Sequence, residues 1–392
     1  MADYPSGEGL PVNEAGLFAF TTPNLGDDMQ SFAVLAHLDR VHTFVDRDRL
    51  PDFNSKFDTT CVFNCWFLIG QDGRKPADVI KPIWHGFAGW KESLPGEWMG
   101  YIRSHSQFSG PIGCRDLYTT EQLGEAGINA YWSGCLTLFL GRMLSQPVAQ
   151  RKGVYFVDLP AAAEEHIPAE LVRRAIRIST FPPPGMLNHT LERWATVGRL
   201  AKILSEAELV VTRRLHVALP AASFGTPVVA VPDPGISLAR RRFAGFETIL
   251  PTVYLDDLDA GMKKIDWLHV PPVRIPEEMN RHHAALNEQL QARQLAGGPA
   301  RPESPLDCVG SQRQFLTNLP KVKHPGKLRL RLRDRCFDLP VQFWRDTLIE
   351  VALRGFPGLS KFQFQVEVGE SGREAWTSWG LLRDLVQSPP PD

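Results

Sequence analysis

Arg213, Arg214 and His216 lie close together in the segment VTRRLHVALPAASFGTPVVAV, residues 211–231. Arginine binds carboxylates and phosphates through paired hydrogen bonds, and histidine exchanges protons near neutral pH. Anion binding combined with proton transfer is therefore the chemistry that these residue types could support. The alternative is structural, with an arginine paired to a carboxylate and a histidine satisfied within the core.

The residues around this group predict a strand, a short helix and a second strand. Apolar, β-branched residues occupy 209–211 and 228–231, and the helical pattern at 216–224 ends at Gly225. In a parallel sheet, ligands bind where the carboxyl ends of the strands meet the starts of helices. The N-terminus of a helix disfavours cations, so three potentially cationic side chains there indicate that an anion binds.

The composition is that of a globular protein, with 392 residues, 43% of them hydrophobic, and a net charge of −1. This charge gives no global field that would attract nucleic acid. No apolar run is long enough to span a bilayer, and MADYPSGEG lacks the features of a signal peptide, so we expect a cytoplasmic protein. The cysteines have no metal or redox spacing and are expected to be reduced core thiols: Cys61, Cys65, Cys114, Cys135, Cys308 and Cys336.

Strands and helices alternate in the first part of the chain, which predicts an α/β domain at residues 1–165. The first strand, 17–20, precedes a helix that Asp27 or Asp28 could cap and that ends near Leu38. The other predicted elements of this part are strands at 42–45, 60–64, 112–115, 128–133 and 154–158 and a helix at 120–126.

A second α/β domain is predicted at residues 166–297. It consists of helical residues 168–204, the strand–helix–strand segment, a strand at 248–250 and a charged helix at 276–295. Residues 298–392 begin with linker composition and then predict a small α+β appendage, with strands at KLRLRLRD and FQFQVEV and a helix at QFWRDTLIEVALRGF. The basic strand is predicted to be a solvated edge strand, although it could also meet an acidic surface or a phospholipid.

Five segments, in order along the chain, resemble the polysaccharide pyruvyl transferase family. NLGDDMQSFA at 24–33 matches the N-x-G-D-x-x-Q loop of the family, and PIGCRDLYTTEQLGEAGI at 111–128 is similar to its R-D-x-x-[ST] segment. AYWSGCLTLFL follows at 130–140. The segment at 211–231 is similar to the T-S-R-L-H turn, and RRFAGF at 241–246 resembles the short R-F-x-G-L that follows it. The resemblance covers about residues 17–250.

The resemblance implies a GT-B-like architecture, in which two Rossmann-like domains face a cleft and the appendage is added at the C-terminus. It also implies transfer of the enolpyruvyl group of phosphoenolpyruvate to two hydroxyls of a sugar in an oligo- or polysaccharide, such as an exopolysaccharide. The products are a cyclic pyruvate ketal and phosphate. We expect neither a cofactor nor a metal. A lipid-linked acceptor would bring the enzyme to a membrane surface without inserting it.

The resemblance assigns Arg214 and His216 to the R-x-H pair of the family. Arg214 would bind the phosphate or carboxylate of the donor, and His216 would carry out acid–base chemistry or bind phosphate. Arg115 would be a second anion ligand from the opposing domain, and its structural alternative is an ion pair with Asp116. Arg213 stands where the family usually has a small hydroxyl residue. It could reach the donor, but we favour a solvent-facing side chain paired with an acid.

Further candidate residues lie in the N-terminal half. His85, in PIWHGF, could bind the acceptor, relay protons or be a satisfied core histidine. Asn24, Gly26 and Asp27 would line the cleft, where Gly26 permits close approach and Asp27 caps a helix or accepts a hydrogen bond from a sugar hydroxyl. A group of aromatic residues could stack on sugar rings or pack in the core: Trp84, Phe87, Trp90 and Trp98.

Two other functions remain open at the level of sequence. One is a GT-B glycosyltransferase with a nucleotide-sugar donor, for which Glu247 could bind the ribose. The other is a non-catalytic binding protein, which is less consistent with intact arginine, histidine and N-x-G-D positions. His282 and His283 are predicted to lie on a solvated helix face. The acidic run at 256–259 lacks the spacing of a calcium loop.

Overall fold

The computed structural model describes residues 14–38, 41–67, 74–90, 94, 96–144, 150–182, 190–233, 237–293 and 295, together with four strands between residues 328 and 378. Within these ranges no helix has the length and apolar character needed to cross a bilayer. The described part of the chain contains no group of three or more potential metal-ligating side chains arranged around a common point.

The first sheet is parallel and lies in the N-terminal half. Its strands follow the order β2-β1-β3-β4, with β1 at Glu14–Ala19, β2 at Thr43–Asp46, β3 at Thr59–Val62 and β4 at Ile80–Ile83. Parallel bridges from Trp66 to Ala88 and from Phe87 to Cys114 continue it toward the paired strands β5, Ile112–Cys114, and β6, Ala130–Trp132. The helices of this half are α1, Leu25–His37; α2, Gly96–Phe108; α3, Leu117–Glu125; and α4, Leu140–Leu144.

A second parallel sheet follows, in the order β10-β9-β7-β8. Its strands are β7, Val154–Val157; β8, Ala175–Ile178; β9, Leu209–Thr212; and β10, Val228–Ala230. The central strand β9 is buried along its whole length, which explains its uninterrupted run of apolar residues. The helices are α5, Ala161–Glu164; α6, Ala169–Arg174; α7, Thr190–Glu206; α8, Leu215–Ser223; α9, Ser237–Phe243; α10, Leu258–Met262; and α11, Glu277–Ala292.

Helices of the two sheets pack directly on each other. Helix α1 contacts both α7 and α8, and one hydrophobic cluster contains buried side chains from α1, α7, α8 and α11. Asp28 of α1 and Arg193 of α7 form a fully buried ion pair across this contact. The predicted α/β class with parallel sheets is confirmed. The division at residue 165 into two Rossmann-like domains that face a cleft stays a prediction.

Each parallel sheet has a topological switch point, where the connections that follow two neighbouring strands run toward opposite edges of the sheet. In the first sheet these strands are β1 and β3, and in the second they are β7 and β9. The carboxyl ends of such strands form a crevice suited to a ligand. Asn24 and Asn64 follow the first pair of strands, and Asp158 and Arg214 follow the second.

Several sequence-based assignments are wrong in detail. Helix α1 is capped by Asn24, whose side chain accepts a hydrogen bond from the Gly26 N–H, rather than by Asp27 or Asp28. The predicted helical stretch 168–204 contains the edge strand β8, because β7 supplies backbone partners that a local helical pattern does not reveal. A short 3-10 helix, Phe246–Thr248, replaces the strand predicted at 248–250.

The third sheet is antiparallel and has the order β12-β11-β13-β14. Its strands are β11, Leu328–Leu332; β12, Arg335–Leu339; β13, Gln363–Glu367; and β14, Glu374–Ser378. The predicted strands at KLRLRLRD and FQFQVEV are confirmed. The basic strand β11 is not an edge strand, however, because both β12 and β13 pair with it. The predicted linker and the helix at QFWRDTLIEVALRGF lie outside the described residues.

A histidine pair joins α11 to α1, contrary to the predicted solvated face. His283 is 6% exposed and stacks on Phe139, and its Nε2 lies 2.7 Å from His37 Nε2. His37 Nδ1 lies 2.7 Å from the Ala33 carbonyl and must donate to it, so His37 Nε2 accepts from His283. Burial, together with His37 and Arg142, lowers the pKa of His283 to about 3.

Because the folded protein holds His283 neutral, its stability is expected to fall with acid. The unfolded chain binds this proton near pH 6.5, so the loss begins below that pH and continues toward pH 3, at up to about 1.4 kcal/mol per pH unit. His283→Gln should reduce the slope of the free energy of unfolding between pH 6.5 and 5, measured by urea denaturation. The exposed His269, paired with Asp266, provides the control His269→Gln. An unchanged slope in His283→Gln would contradict this account.

Candidate active site

The turn after β9 is held by the hydroxyl of Thr212. Thr212 Oγ1 donates to the Val157 carbonyl at 2.9 Å and accepts from the Arg214 N–H at 3.0 Å. Arg214 occupies the N-cap position of α8 in an extended conformation and makes no side-chain capping bond. The role of Arg214 as an anion ligand stays a prediction.

Arg214 is oriented by Asp158, which follows β7. Arg214 Nε donates to Asp158 Oδ2 at 2.9 Å, and the guanidinium carbon lies 4.6 Å from the centre of the Phe181 ring. Burial opposes ionisation of Asp158, but hydrogen bonds from Thr180 and Ser179 together with Arg214 lower its pKa. Asp158 adopts φ +49°, a conformation that few residues other than glycine adopt. The buried Nη2 of Arg214 has no hydrogen-bond partner among the described residues.

His216 lies in the first turn of α8 and is 2% exposed. Its Nε2 has no hydrogen-bond partner within the described part of the chain. Burial and the neighbouring charges of Arg115 and Arg242 hold the pKa of His216 well below its usual value. His216 is therefore neutral at pH 7 and able to accept a proton or to donate a hydrogen bond.

The start of α1 approaches His216 closely. A Cβ atom on Gly26 would lie 3.3 Å from the Cβ of His216, so the predicted need for a small residue at Gly26 fits this contact. The Leu25 N–H donates to the Thr180 carbonyl at 2.9 Å, which ties α1 to the loop after β8. Asp27 accepts from the Thr22 hydroxyl at 2.6 Å and acts electrostatically on Arg242. The N-x-G-D loop thus lies beside the R-x-H turn.

Arg115 follows β5 and is fully buried with Asp116. Arg115 Nε and Nη2 donate to Asp116 Oδ2 at 3.1 and 2.9 Å, which is the structural alternative considered for this residue. Asp116 also caps α3 through Thr119. The buried Nη1 of Arg115 has no partner among the described residues, so one nitrogen remains for an anion.

Arg242 is a further cation of this site that sequence reasoning did not assign. Burial and repulsion from Arg115 lower its pKa to about 10, and its charge in turn acts on His216. Arg242 is the arginine of the segment that resembles R-F-x-G-L. The sequence therefore marked this position but did not indicate its function. The segment needs Gly245, which has φ +90° and whose Cβ would lie 2.7 Å from Trp132.

His85 lies in a different environment from His216. Its pKa is lowered by burial and by His283, His37 and His282, rather than by the arginines around His216. It is 1% exposed, and its Nε2 has no partner in the described ranges. A role in acceptor binding or proton relay stays a prediction.

The remaining candidate residues lie in several different environments. Arg213 forms no ion pair in the described part of the chain, so the pairing with an acid that we favoured is not found there. Glu247 is exposed and accepts a hydrogen bond from the Tyr254 hydroxyl at 2.5 Å. The aromatic residues considered for sugar stacking are mostly covered by the core: Trp84, Phe87, Trp90 and Trp98. Free, buried thiols occur at Cys61, Cys65, Cys114 and Cys135.

Ion pairs with carboxylates involve only some of the arginines of this site. Arg115 pairs with Asp116 and Arg214 with Asp158, whereas Arg242 has no ion pair among the described residues. Guanidinium N–H groups that are buried without a partner are costly unless a counter-ion binds. The arrangement is suited to a small ligand with more than one negative charge, next to a neutral histidine.

Comparison with known proteins supports this interpretation. Residues 99–233 match the family model described as polysaccharide pyruvyl transferase. The matched range includes Arg115, Arg214 and His216 and confirms the resemblance predicted from the sequence. The N-x-G-D loop and the RRFAGF segment lie outside it.

Other comparisons add less. A search of curated proteins finds no match. A solved structure of a functionally uncharacterised protein from Klebsiella pneumoniae is similar to this chain at 14% identity, with a TM-score of 0.39. The similarity covers 62% of this chain and 94% of the other.

Proposed function

We propose that this chain, which carries a polysaccharide pyruvyl transferase domain at residues 99–233, uses phosphoenolpyruvate to form a cyclic pyruvate ketal on a sugar. The observation that carries the proposal is the cluster of incompletely compensated arginines around the neutral His216. Phosphoenolpyruvate carries a phosphate and a carboxylate on a three-carbon skeleton. Its two anionic groups could therefore bind different arginines of the cluster. We further propose that the two parallel sheets are the Rossmann-like domains of a GT-B-like enzyme.

In the proposed reaction, Arg214 and Arg115 bind the anionic groups of the donor. The methylene carbon of the enol takes up a proton, and positive charge develops at C2. One sugar hydroxyl attacks C2 and loses its proton, and the C2–O bond to phosphate breaks. The second hydroxyl then attacks C2 and loses its proton, which closes the ketal ring. The arginines assist departure of phosphate by keeping its charge stabilised.

His216 is assigned the acid–base work. Its neutral imidazole can take the proton of the attacking hydroxyl through the free Nε2, and the imidazolium can return a proton to the substrate. An anion bound to Arg115 would offset the repulsion that lowers the pKa of His216 and so ease this protonation. Asn24 and Asp27, at the start of α1 beside His216, are assigned to the acceptor side.

The acceptor is proposed to be a saccharide, and a lipid-linked saccharide would place the enzyme at the inner face of a membrane. A cytoplasmic location, as expected from the sequence, is part of this proposal. Neither a metal nor a cofactor is part of the proposed reaction, since its charges are handled by arginine and its protons by histidine.

The proposal is tested first by binding and then by turnover. Calorimetry with phosphoenolpyruvate, UDP and inorganic phosphate separates a pyruvyl donor site from a nucleotide site. We expect phosphoenolpyruvate to bind most tightly. His216→Asn should lower phosphate release with a responsive saccharide by about 10²–10⁴-fold, as expected for loss of an acid–base group. Tight binding of UDP without binding of phosphoenolpyruvate would instead indicate a glycosyltransferase.

A further inference from the structure

We infer that Arg242 is a third guanidinium ligand for the anionic groups of the donor, brought to the site by α9 and oriented by Trp66. This inference rests on the proposed function, because it names an additional binding residue of that site. Arg242 and Trp66 both lie outside the matched range 99–233. The contacts and charges around the two residues carry the argument.

The first observation is the lack of a carboxylate for Arg242. It has no ion pair in the described part of the chain, and its buried Nε has no hydrogen-bond partner there. The acids that act on it electrostatically are engaged elsewhere, since Asp27 accepts from Thr22 and Asp116 accepts from Arg115. Even with a pKa near 10, Arg242 is charged at pH 7. A charged guanidinium whose Nε–H is buried without a partner is stabilised by a counter-ion.

The second observation is the charge that surrounds Arg242. Arg115 and Arg214 both act on it and lower its pKa, and Arg242 in turn lowers the pKa of His216. The cation therefore lies among the residues already assigned to the donor. Like charges brought together without compensation raise the energy of the empty site, and a multiply charged anion would relieve this repulsion.

The third observation is the support from Trp66. The guanidinium carbon of Arg242 lies 4.6 Å from the centre of the Trp66 ring, and Trp66 is 9% exposed. The backbone of Trp66 is held by the bridge to Ala88 and by Arg47, which donates to the Trp66 carbonyl at 2.6 Å. Stacking uses the face of a guanidinium and leaves its N–H edges available to an anion. Trp66 is thus a positioning residue for Arg242.

The turn after α9 fixes the helix relative to Arg115. The Leu117 N–H donates to the Ala244 carbonyl at 3.0 Å, and Phe246 packs against Trp132. Trp132 Nε1 donates to the Arg115 carbonyl at 3.0 Å. Together these contacts connect the segment that carries Arg242 to Arg115, the other proposed anion ligand.

The test compares two arginines of the same helix. Arg242→Gln should weaken phosphoenolpyruvate binding by at least tenfold in calorimetry, and Trp66→Leu should weaken it by a smaller factor. Arg240 also stacks on an aromatic ring, that of Tyr254, but it is exposed and paired with Asp256. Arg240→Gln is therefore the matched control and should bind the donor like the unchanged protein. Circular dichroism and thermal unfolding check that each variant is folded.

An NMR titration of His216 tests whether the charge of Arg242 acts at the proposed donor site. Removing the charge of Arg242 should raise the pKa of His216, whereas Arg240→Gln should leave it unchanged, with His216→Asn used for signal assignment. Arg242→Lys should retain part of the binding, since it keeps the charge but not the planar fork. Equal donor affinity in folded Arg242→Gln and the unchanged protein would overturn the inference.

The failure of this inference can be distinguished from that of the proposed function. If the unchanged protein binds phosphoenolpyruvate and Arg242→Gln binds it equally well, only the role of Arg242 is wrong. If the unchanged protein binds UDP or inorganic phosphate but not phosphoenolpyruvate, the proposed donor is wrong, and the effect of Arg242→Gln on that anion decides the role of Arg242. If it binds none of these anions, both proposals are wrong.

Discussion

Arg214→Gln is expected to weaken phosphoenolpyruvate binding and to reduce pyruvyl transfer by about 10²–10³-fold, in the range of losing one charge-stabilising donor. Asp158 holds Arg214 Nε at 2.9 Å, and Nη2 is left without a partner among the described residues. The substitution removes both the positive charge and the planar guanidinium N–H groups that would bind the anion. Calorimetry with the donor and phosphate release with a responsive saccharide measure the two effects.

Two companion variants sharpen this test. Arg214→Lys keeps the charge but cannot reproduce the planar contact, so it should restore only part of the binding. Arg177 lies on the neighbouring strand β8, is exposed and pairs with Glu164, so Arg177→Gln should leave donor binding unchanged. If Arg214→Gln binds phosphoenolpyruvate as tightly as Arg177→Gln does, Arg214 is not a donor ligand.

Arg193→Met is expected to destabilise the fold by about 3–5 kcal/mol, because it leaves a buried carboxylate without its partner. Arg193 donates through Nε to both oxygens of Asp28, at 3.0 and 3.1 Å, and through Nη2 to Oδ2 at 2.6 Å. Both side chains are 0% exposed. Urea denaturation followed by tryptophan fluorescence gives the free energy of unfolding.

The pH dependence of this loss identifies its cause. Burial raises the pKa of Asp28 to about 7, and Arg193 opposes that rise. Without Arg193 the folded-state pKa rises further above the unfolded value of 3.8. A raised carboxyl pKa destabilises the fold most at high pH, so the difference between Arg193→Met and the unchanged protein should shrink as the pH falls from 8 toward 5.

Two controls accompany this prediction. The double variant Asp28→Leu/Arg193→Met removes both charges and should recover much of the lost stability. Lys202→Met cuts the exposed pair with Glu206 on the same helix α7 and should change stability by less than about 0.5 kcal/mol. A loss in Arg193→Met that is equal at all pH values would show that packing, rather than the buried carboxylate, is responsible.

Elements with a strong local pattern were predicted well from the sequence. The apolar run of β9, the small-residue helix α8 and its end before Gly225 appear in the structure within one or two residues of their predicted bounds. The errors lie where long-range contacts decide the outcome. Residues 175–178 form a strand because β7 lies beside them, and the start of α1 is set by Asn24 because its side chain reaches Gly26.

Some residues of the candidate site were also identified from local motifs, whereas another was found only in the structure. The R-x-H turn and the R-D segment were identifiable because each is a short motif at a strand end. Arg242 was not assigned, since the resemblance to R-F-x-G-L marks its position but does not indicate what its side chain binds. Its stacking on Trp66 and its electrostatic contact with Arg115 join residues that are far apart along the chain.

The sequence by itself determined the α/β class, the order of the motifs and the resemblance to a pyruvyl transferase family, because periodicity and spacing are local properties of the chain. Only the tertiary structure decided which charges are compensated. Asp158, Asp116 and Asp28 each neutralise a particular arginine, and Arg242 is left without such a partner among the described residues. The reason is physical: charge compensation depends on distance and burial, which arise only when separate strands and helices pack together.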